Sequence, residues 1–361
     1  MVSAGPPADA GALDDPSRLA ELDASGHLQH LAGLGSQLRR GYEAGRAAAG
    51  ASSAAGARAI VICGMGGSGV AADVLRALYA ERLPIPLLAS KGYRLPAFAD
   101  PDSLVVAISF SGNTEETLTA YGEAVDRGCR VVAISCGGKL ARLAAADGVA
   151  HVHPPSDVPM PRMAIGDLCA SLIGVLEAGG ILPPAGDDVE RAAGVLDALA
   201  ARLAPERPSS KNPAKDLAVW IGSRTPVIWG SEGLAEAPAA RFRTQVNENA
   251  KSPAFSAVLP ELDHNEIEGW SAGTGPGYAL VTLRHPLEHA RVADRLAATL
   301  EAIAASGLES REVSAEGIEP LEILFSLVMH ADFAATYLAL LRGKDPTPIP
   351  VLLSLKERLA R

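Results

Sequence analysis

Short, continuous apolar runs alternate with helical stretches through the first half of the chain. Arg58-Ala59-Ile60-Val61-Ile62-Cys63 reads as a strand buried on both faces, followed by a glycine-rich turn and a helix over about 70–80. A short strand over 85–89 and a continuous apolar strand over 103–109 come next, then a helix over 114–127 and a strand over 130–135. Before this series, Leu19, Leu22, Leu28, Leu31, Leu34 and Leu38 fall at helical spacing and predict a helix over 19–49. A further apolar helix is expected over 168–182. Strand, turn, helix and strand in this rhythm predict an α/β fold, a parallel sheet covered by helices.

The second half partly echoes the first. Pro226-Val227-Ile228-Trp229-Gly230-Ser231-Glu232-Gly233 repeats a strand and turn, a helix over 235–245 follows, and 278–283 is again a strand. After that strand, however, stands Arg284-His285-Pro286-Leu287. The polar, proline-rich stretch 206–213 reads as a connection. The expected organisation is a disordered tail over 1–16, one α/β lobe over 17–205 and a second over 214–361.

Composition narrows the functions. The chain has 361 residues, 48% of them hydrophobic, and a formal charge of -10, which argues against a nucleic-acid partner. An anionic ligand therefore needs a local site that favours negative charge. Cys63, Cys129, Cys136 and Cys169 form no C-x-x-C pair and read as reduced thiols. No basic-then-apolar leader opens the sequence and no membrane-length run is free of charge, so a cytoplasmic location without membrane association is expected.

Two turns carry the chemistry. Gly64-Met65-Gly66-Gly67-Ser68-Gly69 fits G-x-G-x-x-G between a strand and a helix, the pattern of a dinucleotide site. The next strand ends Leu88-Ala89-Ser90-Lys91, where an NAD site wants an acid for the ribose; Ser90 and Lys91 would tolerate only a 2′-phosphate. A turn needing glycine for its backbone alone is the plainer alternative, but the glycines together with Ser68 at a helix start already make an anion site. Ser109-Phe110-Ser111-Gly112-Asn113-Thr114-Glu115-Glu116 says more. It starts at the carboxyl end of an apolar strand and opens a helix, so three hydroxyls and unpaired amides face one spot. Helix capping alone needs one hydroxyl, not three. A phosphate dianion fits this donor set.

These two turns, in this order on successive strand–helix units, resemble the sugar isomerase (SIS) fold family. Asn247-Glu248-Asn249-Ala250-Lys251, Glu261-Leu262-Asp263-His264-Asn265-Glu266, and Asp345-Pro346-Thr347-Pro348-Ile349-Pro350 followed by Leu355-Lys356 are similar to the bifunctional phosphoglucose/phosphomannose isomerases within it. The resemblance runs from about Arg58 to the end. It implies two SIS-type lobes, each a doubly wound, flavodoxin-like parallel sheet. It also implies that Gly66, Gly67, Ser68, Ser109, Ser111 and Thr114 hold a sugar phosphate. Glu248 would be the base moving a proton between carbons 1 and 2. His264 and Lys356 would assist ring opening, and Arg162 would stand near the enediolate. A homodimer is implied, with His264 entering the neighbouring subunit's pocket.

The chemistry asks for the same residue types. Aldose–ketose isomerisation removes a proton beside a carbonyl and returns it to the next carbon, which one carboxylate can do, and general-base catalysis contributes about 10²–10⁴-fold. A fixed cation stabilises the charged intermediate more than the ground state. No cofactor is needed. Without the resemblance, Glu248 in a polar run after a helix reads as solvated, His264 as a loop residue, Lys356 as the outer face of a terminal helix, and Arg162 as a partner for Asp167. A non-catalytic sugar-phosphate sensor is the alternative function, but it has no use for Glu248, His264 and Lys356 together. His151 and His153 share a strand face as zinc ligands might, yet no third ligand at suitable spacing completes a site, and none is expected to bind metal.

Overall fold

The computed structural model describes residues 10–48, 54–155, 157–271, 273 and 275–359. They divide into two compact units. One comprises 33–197 with 317–325, and the other the described parts of 1–32, 198–316 and 326–361. The boundaries differ from the sequence-based ones chiefly at the start, because the opening helices belong to the second unit.

The predicted helix over 19–49 is three helices: α1 (Pro16–Leu22), α2 (His27–Ala32) and α3 (Leu34–Arg46). The break has a local cause. Gly26 takes a positive φ of 69°, and the Asp23 carboxylate accepts from the amides of His27 at 2.7 Å and Leu28 at 2.9 Å, which starts a new helix. The expected tail over 1–16 falls outside the described residues up to position 9. Beyond it, Ala10–Leu13 forms a 3-10 turn with Leu13 fully buried, and the buried Lys215 donates to the Leu13 carbonyl at 2.6 Å. A buried ammonium needs acceptors, and this segment supplies one.

In the first unit the strands are β1 (Ala59–Cys63), β2 (Leu87–Ser90), β3 (Ser103–Ile108), β4 (Arg130–Ile134) and β5 (Ala150–Val152). They form an all-parallel sheet in the order β2-β1-β3-β4-β5, a doubly wound, flavodoxin-like arrangement. The helices between them are α4 (Gly66–Tyr79), α5 (Glu115–Asp126) and α6 (Gly138–Asp147), with α7 (Ile165–Ala178) and most of α8 (Gly186–Leu203) after the sheet. Central strands explain the apolar runs: Leu104, Val105, Val106 and Ile108 are fully buried, each worth about 1.5–3 kcal/mol of transfer free energy. Helix α3 lies close on α7. A Cβ at Gly41 would stand 2.5 Å from the Asp167 carbonyl oxygen, so only glycine allows this approach.

The second unit repeats the plan with one strand fewer. Helix α9 (Pro213–Ile221) leads into β6 (Thr225–Ser231), followed by α10 (Glu236–Asn249), β7 (Phe255–Leu259), β8 (Tyr278–Arg284), α11 (Ala290–Ala302) and β9 (Glu309–Ser314). The parallel order is β7-β6-β8-β9, the same as the first four strands of the other sheet. Its core gathers Val227, Trp229, Leu259, Leu280 and Leu296. Helix α12 (Pro320–Leu341) is long and apolar enough to cross a membrane, but its apolar window is entirely buried. It also carries Asp332, which clamps Arg241 of α10 through two bonds, Nε to Oδ1 at 2.8 Å and Nη2 to Oδ2 at 2.7 Å. The last helix is α13 (Pro350–Leu359).

Both members of the Arg241–Asp332 pair are at most 2% exposed. Asp332→Ala leaves the buried guanidinium without this carboxylate, and the expected loss is about 3–5 kcal/mol in chemical denaturation. A loss below about 1 kcal/mol would mean that the pair does not anchor α10.

Candidate active site

In a parallel sheet, ligands bind outside the carboxyl ends of the strands where the winding reverses. In the first unit that place lies between β1 and β3, and both predicted turns leave from it. The turn after β1 runs directly into α4, which begins at Gly66, earlier than the sequence pattern suggests. The turn after β3 leads to α5.

The two turns are fastened to each other. The Ser68 hydroxyl accepts from the Phe110 amide at 3.0 Å. The buried Ser109 hydroxyl donates to Thr114 Oγ1 at 2.9 Å, and the Asn113 amide donates to Ser111 Oγ at 3.2 Å. Thr114 occupies the N-cap of α5 but its side chain makes no capping bond, so the capping explanation for this hydroxyl fails. Gly112, at φ 65°, lies so near the Gly137 carbonyl that no Cβ fits. Asn113 completes the turn: its Oδ1 accepts from the Lys139 amide at 3.1 Å and its Nδ2 donates to the Ser111 carbonyl at 3.0 Å. Asn113 lies within the Ser109–Glu116 motif, where its residue type alone predicts no such role.

Arg162 joins this group. It lies in the 3-10 turn Pro161–Met163, is 3% exposed, and its backbone approaches α4 so closely that a Cβ at Gly67 would stand 3.0 Å from the Arg162 amide nitrogen. Asp167, the acid suggested as its partner, is gripped by Arg40, Nε to Oδ1 at 2.7 Å and Nη2 to Oδ2 at 3.0 Å. Gln37 fixes the turn from below, donating to the Met163 carbonyl at 2.8 Å and accepting from the Gly166 amide at 3.1 Å. Nothing in the local sequence around Arg162 signals Gln37, which lies far earlier in the chain. Lys91, offered as a 2′-phosphate contact, is ion-paired with Asp73.

The remaining predicted residues lie in the second unit. Glu248 stands in the last turn of α10, not in a polar run after it, and is half-buried. It lines a groove of about 450 Å³ with Lys251, Pro253, Pro348, Ile349 and Leu352. His264 ends the 3-10 turn Glu261–His264 and is exposed, as is Lys356 on α13. At the corresponding reversal in this sheet, between β6 and β8, the space is closed by side chains. Ser231 Oγ and His285 Nε2 are 3.1 Å apart, the His285 amide donates to Glu288 Oε1 at 3.2 Å, and Arg284 Nε donates to Glu288 Oε2 at 2.8 Å.

His151 bonds Ser135 Oγ through Nε2 at 2.9 Å, and His153 lies beyond the end of β5. Among the described residues no group of three or more His, Cys, Asp or Glu is placed to hold a metal ion. All four cysteines are free; Cys63 and Cys169 are buried, and burial pushes the Cys63 thiol up to about 12.

Comparison with known proteins places this geometry. Residues 54–156 match the model of the SIS domain, and 210–359 that of the bacterial phospho-glucose isomerase C-terminal SIS domain. A bifunctional phosphoglucose/phosphomannose isomerase of Caldicellulosiruptor bescii is 36% identical over 332 residues, 91% of this chain and 97% of the relative. The chain belongs to this isomerase family. A second member, from Aquifex aeolicus, is 33% identical over 84% of the chain and 91% of its own length. The solved structure of a hypothetical protein from Thermus thermophilus shares the fold, with a TM-score of 0.70 at 17% identity over 96% of this chain and 94% of that one. In this SIS fold the reversal of the first sheet is built from two tied turns, while that of the second is bridged by His285 and Ser231.

Burial lowers the His285 pKa from its usual value near 6.5, against the pull of Glu288. The folded protein therefore keeps this ring neutral, and stability is lost as acid protonates the unfolded chain below about pH 6.5. His285→Gln is expected to flatten the fall in melting temperature between about pH 7 and pH 5.5. An unchanged pH slope would show that His285 does not contribute to it.

Proposed function

We propose that this chain interconverts glucose 6-phosphate and mannose 6-phosphate with fructose 6-phosphate. The observation that carries this reading is the 36% identity spanning nearly the full length of both this chain and its relative from Caldicellulosiruptor bescii, named for both activities. The sensor alternative has no comparable support.

The residues divide the work. Gly66, Gly67, Ser68, Ser109, Ser111 and Thr114 hold the phosphate by backbone amides and hydroxyls. Two tied turns of this kind suit a dianion on a chain of net charge -10, because they supply donors without a mobile lysine. His264 and Lys356 open the sugar ring by moving one proton on and one off. Glu248 then takes the proton from carbon 2 of the aldose and returns it to carbon 1, while the proton on the carbon 2 oxygen passes to the carbonyl oxygen. The enediolate between these steps carries negative charge, which Arg162 stabilises. No step in this scheme is assigned to a metal or an organic cofactor.

The active form in this reading is a homodimer in which His264 serves the neighbouring subunit's site. Helix α13 supports it: none of its described residues is buried, and Val351, Leu353, Leu355 and Leu359 are exposed apolar side chains that a second copy would cover. The free thiols fit a reducing, cytoplasmic setting.

A coupled assay in chelator-treated buffer should show turnover of both 6-phosphates, and Glu248→Gln should lower kcat by about 100-fold or more with substrate binding retained. Near wild-type turnover in that variant would remove Glu248 from the role. The dimer has its own test. Mixing inactive Glu248→Gln and His264→Ala proteins, then exchanging subunits, should restore activity, because each hybrid contains one site with both wild-type residues. If His264 served its own subunit, the mixture would stay inactive.

A further inference from the structure

Lys251 is the one non-glycine residue with a positive φ, 51°, among the described residues. That conformation is unfavourable for a lysine and persists only where the surrounding structure holds it. Its ammonium donates to three main-chain carbonyls: Glu248 at 2.8 Å, Asp345 at 2.9 Å and Pro346 at 3.0 Å. An ammonium has three donors, and each has an acceptor here. The first of these carbonyls belongs to Glu248 itself and is one of the last in α10, where a cation is favoured by the exposed carbonyl ends. The other two open the Asp345–Pro350 segment, whose later residues wall the groove beside Glu248.

The same segment is held a second time. Thr347 bonds Ser25 through its hydroxyl and lies 3.4 Å from His27 Nδ1, and the Thr347 amide donates to Asp345 Oδ1 at 2.9 Å. His27 in turn reaches Asn249, the residue after Glu248, at 3.5 Å. The helix end and the proline-rich wall are thus tied together on two sides, and Lys251 is the tie that grips the backbone of Glu248.

We infer that Lys251 is a positioning residue for the isomerisation: its ammonium fixes the Glu248 backbone against the Asp345–Pro346 carbonyls and so sets the reach of the Glu248 carboxylate into the groove. This rests on Glu248 being the base. A carboxylate that must serve two adjacent carbons in turn tolerates little displacement, and an error of about 1 Å can cost about 100-fold in rate. Substrate binding, which the phosphate turns provide, does not depend on this tie.

Lys251→Asn and Lys251→Gly test it, because both residues accept a positive φ while removing the ammonium. The expected result is a fall in kcat of about 10–100-fold with KM within about threefold of wild type and a cooperative unfolding transition retained. Two results would overturn the inference: a kcat within about threefold of wild type in both folded variants, or a large rise in KM with kcat unchanged, which would make Lys251 a substrate-binding group. Glu248→Gln, assayed alongside, separates the two claims. If it is inactive while the Lys251 variants keep their kcat, the tie fails and the base stands; if it is active, the base assignment itself has failed.

Discussion

A strand inside a parallel sheet, hydrogen-bonded along both edges and covered on both faces, is among the stiffest stretches of backbone a protein can make, and β1 and β3 are two such strands side by side. Each of their residues is buried. Whatever leaves their carboxyl ends inherits a fixed starting point. The turns that do so bond to each other through Ser68 and Phe110, and within themselves through Ser109 and Thr114. A phosphate site made of amides and hydroxyls depends on such fixity. Each donor is weaker than an ammonium, and only several donors aimed at one place beforehand can replace a charge. On a chain with ten more acidic than basic side chains, that is the physical route by which these turns would hold a sugar phosphate in the proposed function.

The two sheets share the strand order of their first four strands, yet their reversal points are built differently. In the first unit, glycine lets backbones pack closely there: a Cβ at Gly67 would stand 3.0 Å from the Arg162 amide nitrogen. In the second, His285, Ser231 and Glu288 bridge the reversal with hydrogen bonds. The residue proposed as the base in the repeated lobe, Glu248, comes from a helix end instead. Similar folds need not carry similar sites.

How much of this could be read from the sequence follows from where the polar residues lie. Strands β1, β3 and β4 were legible because central parallel strands are apolar throughout. Strand β9, Glu-Ser-Arg-Glu-Val-Ser, was not, since it is an edge strand exposing most of its side chains, and β7 begins with an exposed Phe255. The end of α10 was misjudged for the opposite reason. Its polar residues are inside: Arg241 pairs with Asp332, the Asn249 and Gln245 amides lie 3.0 Å apart, and Asn249 donates to Thr336 at 3.5 Å. Hydropathy cannot see polar groups that satisfy one another in the core. The turns proposed to hold phosphate were plain because their residue types suggest that chemistry. Gln37 was hidden because it acts on backbone far away in the chain, and the tie made by Lys251 because two of its three carbonyls do.

The three residues proposed for acid–base work differ in how firmly the chain holds them, and the difference bears on how the reaction is organised. Glu248 is half-buried on a helix anchored by an internal ion pair, whereas His264 and Lys356 stand exposed on a short turn and on a helix with no buried residue among those described. An exposed lysine carries about 2 kcal/mol of side-chain entropy, which must be lost before it can act in a defined geometry. A base that moves a proton between carbons needs its position fixed beforehand. Groups that open a ring exchange protons with oxygens already in hydrogen-bond contact, and can be ordered by the substrate. The firmly held residue therefore suits the carbon chemistry, and the loosely held ones the step that precedes it.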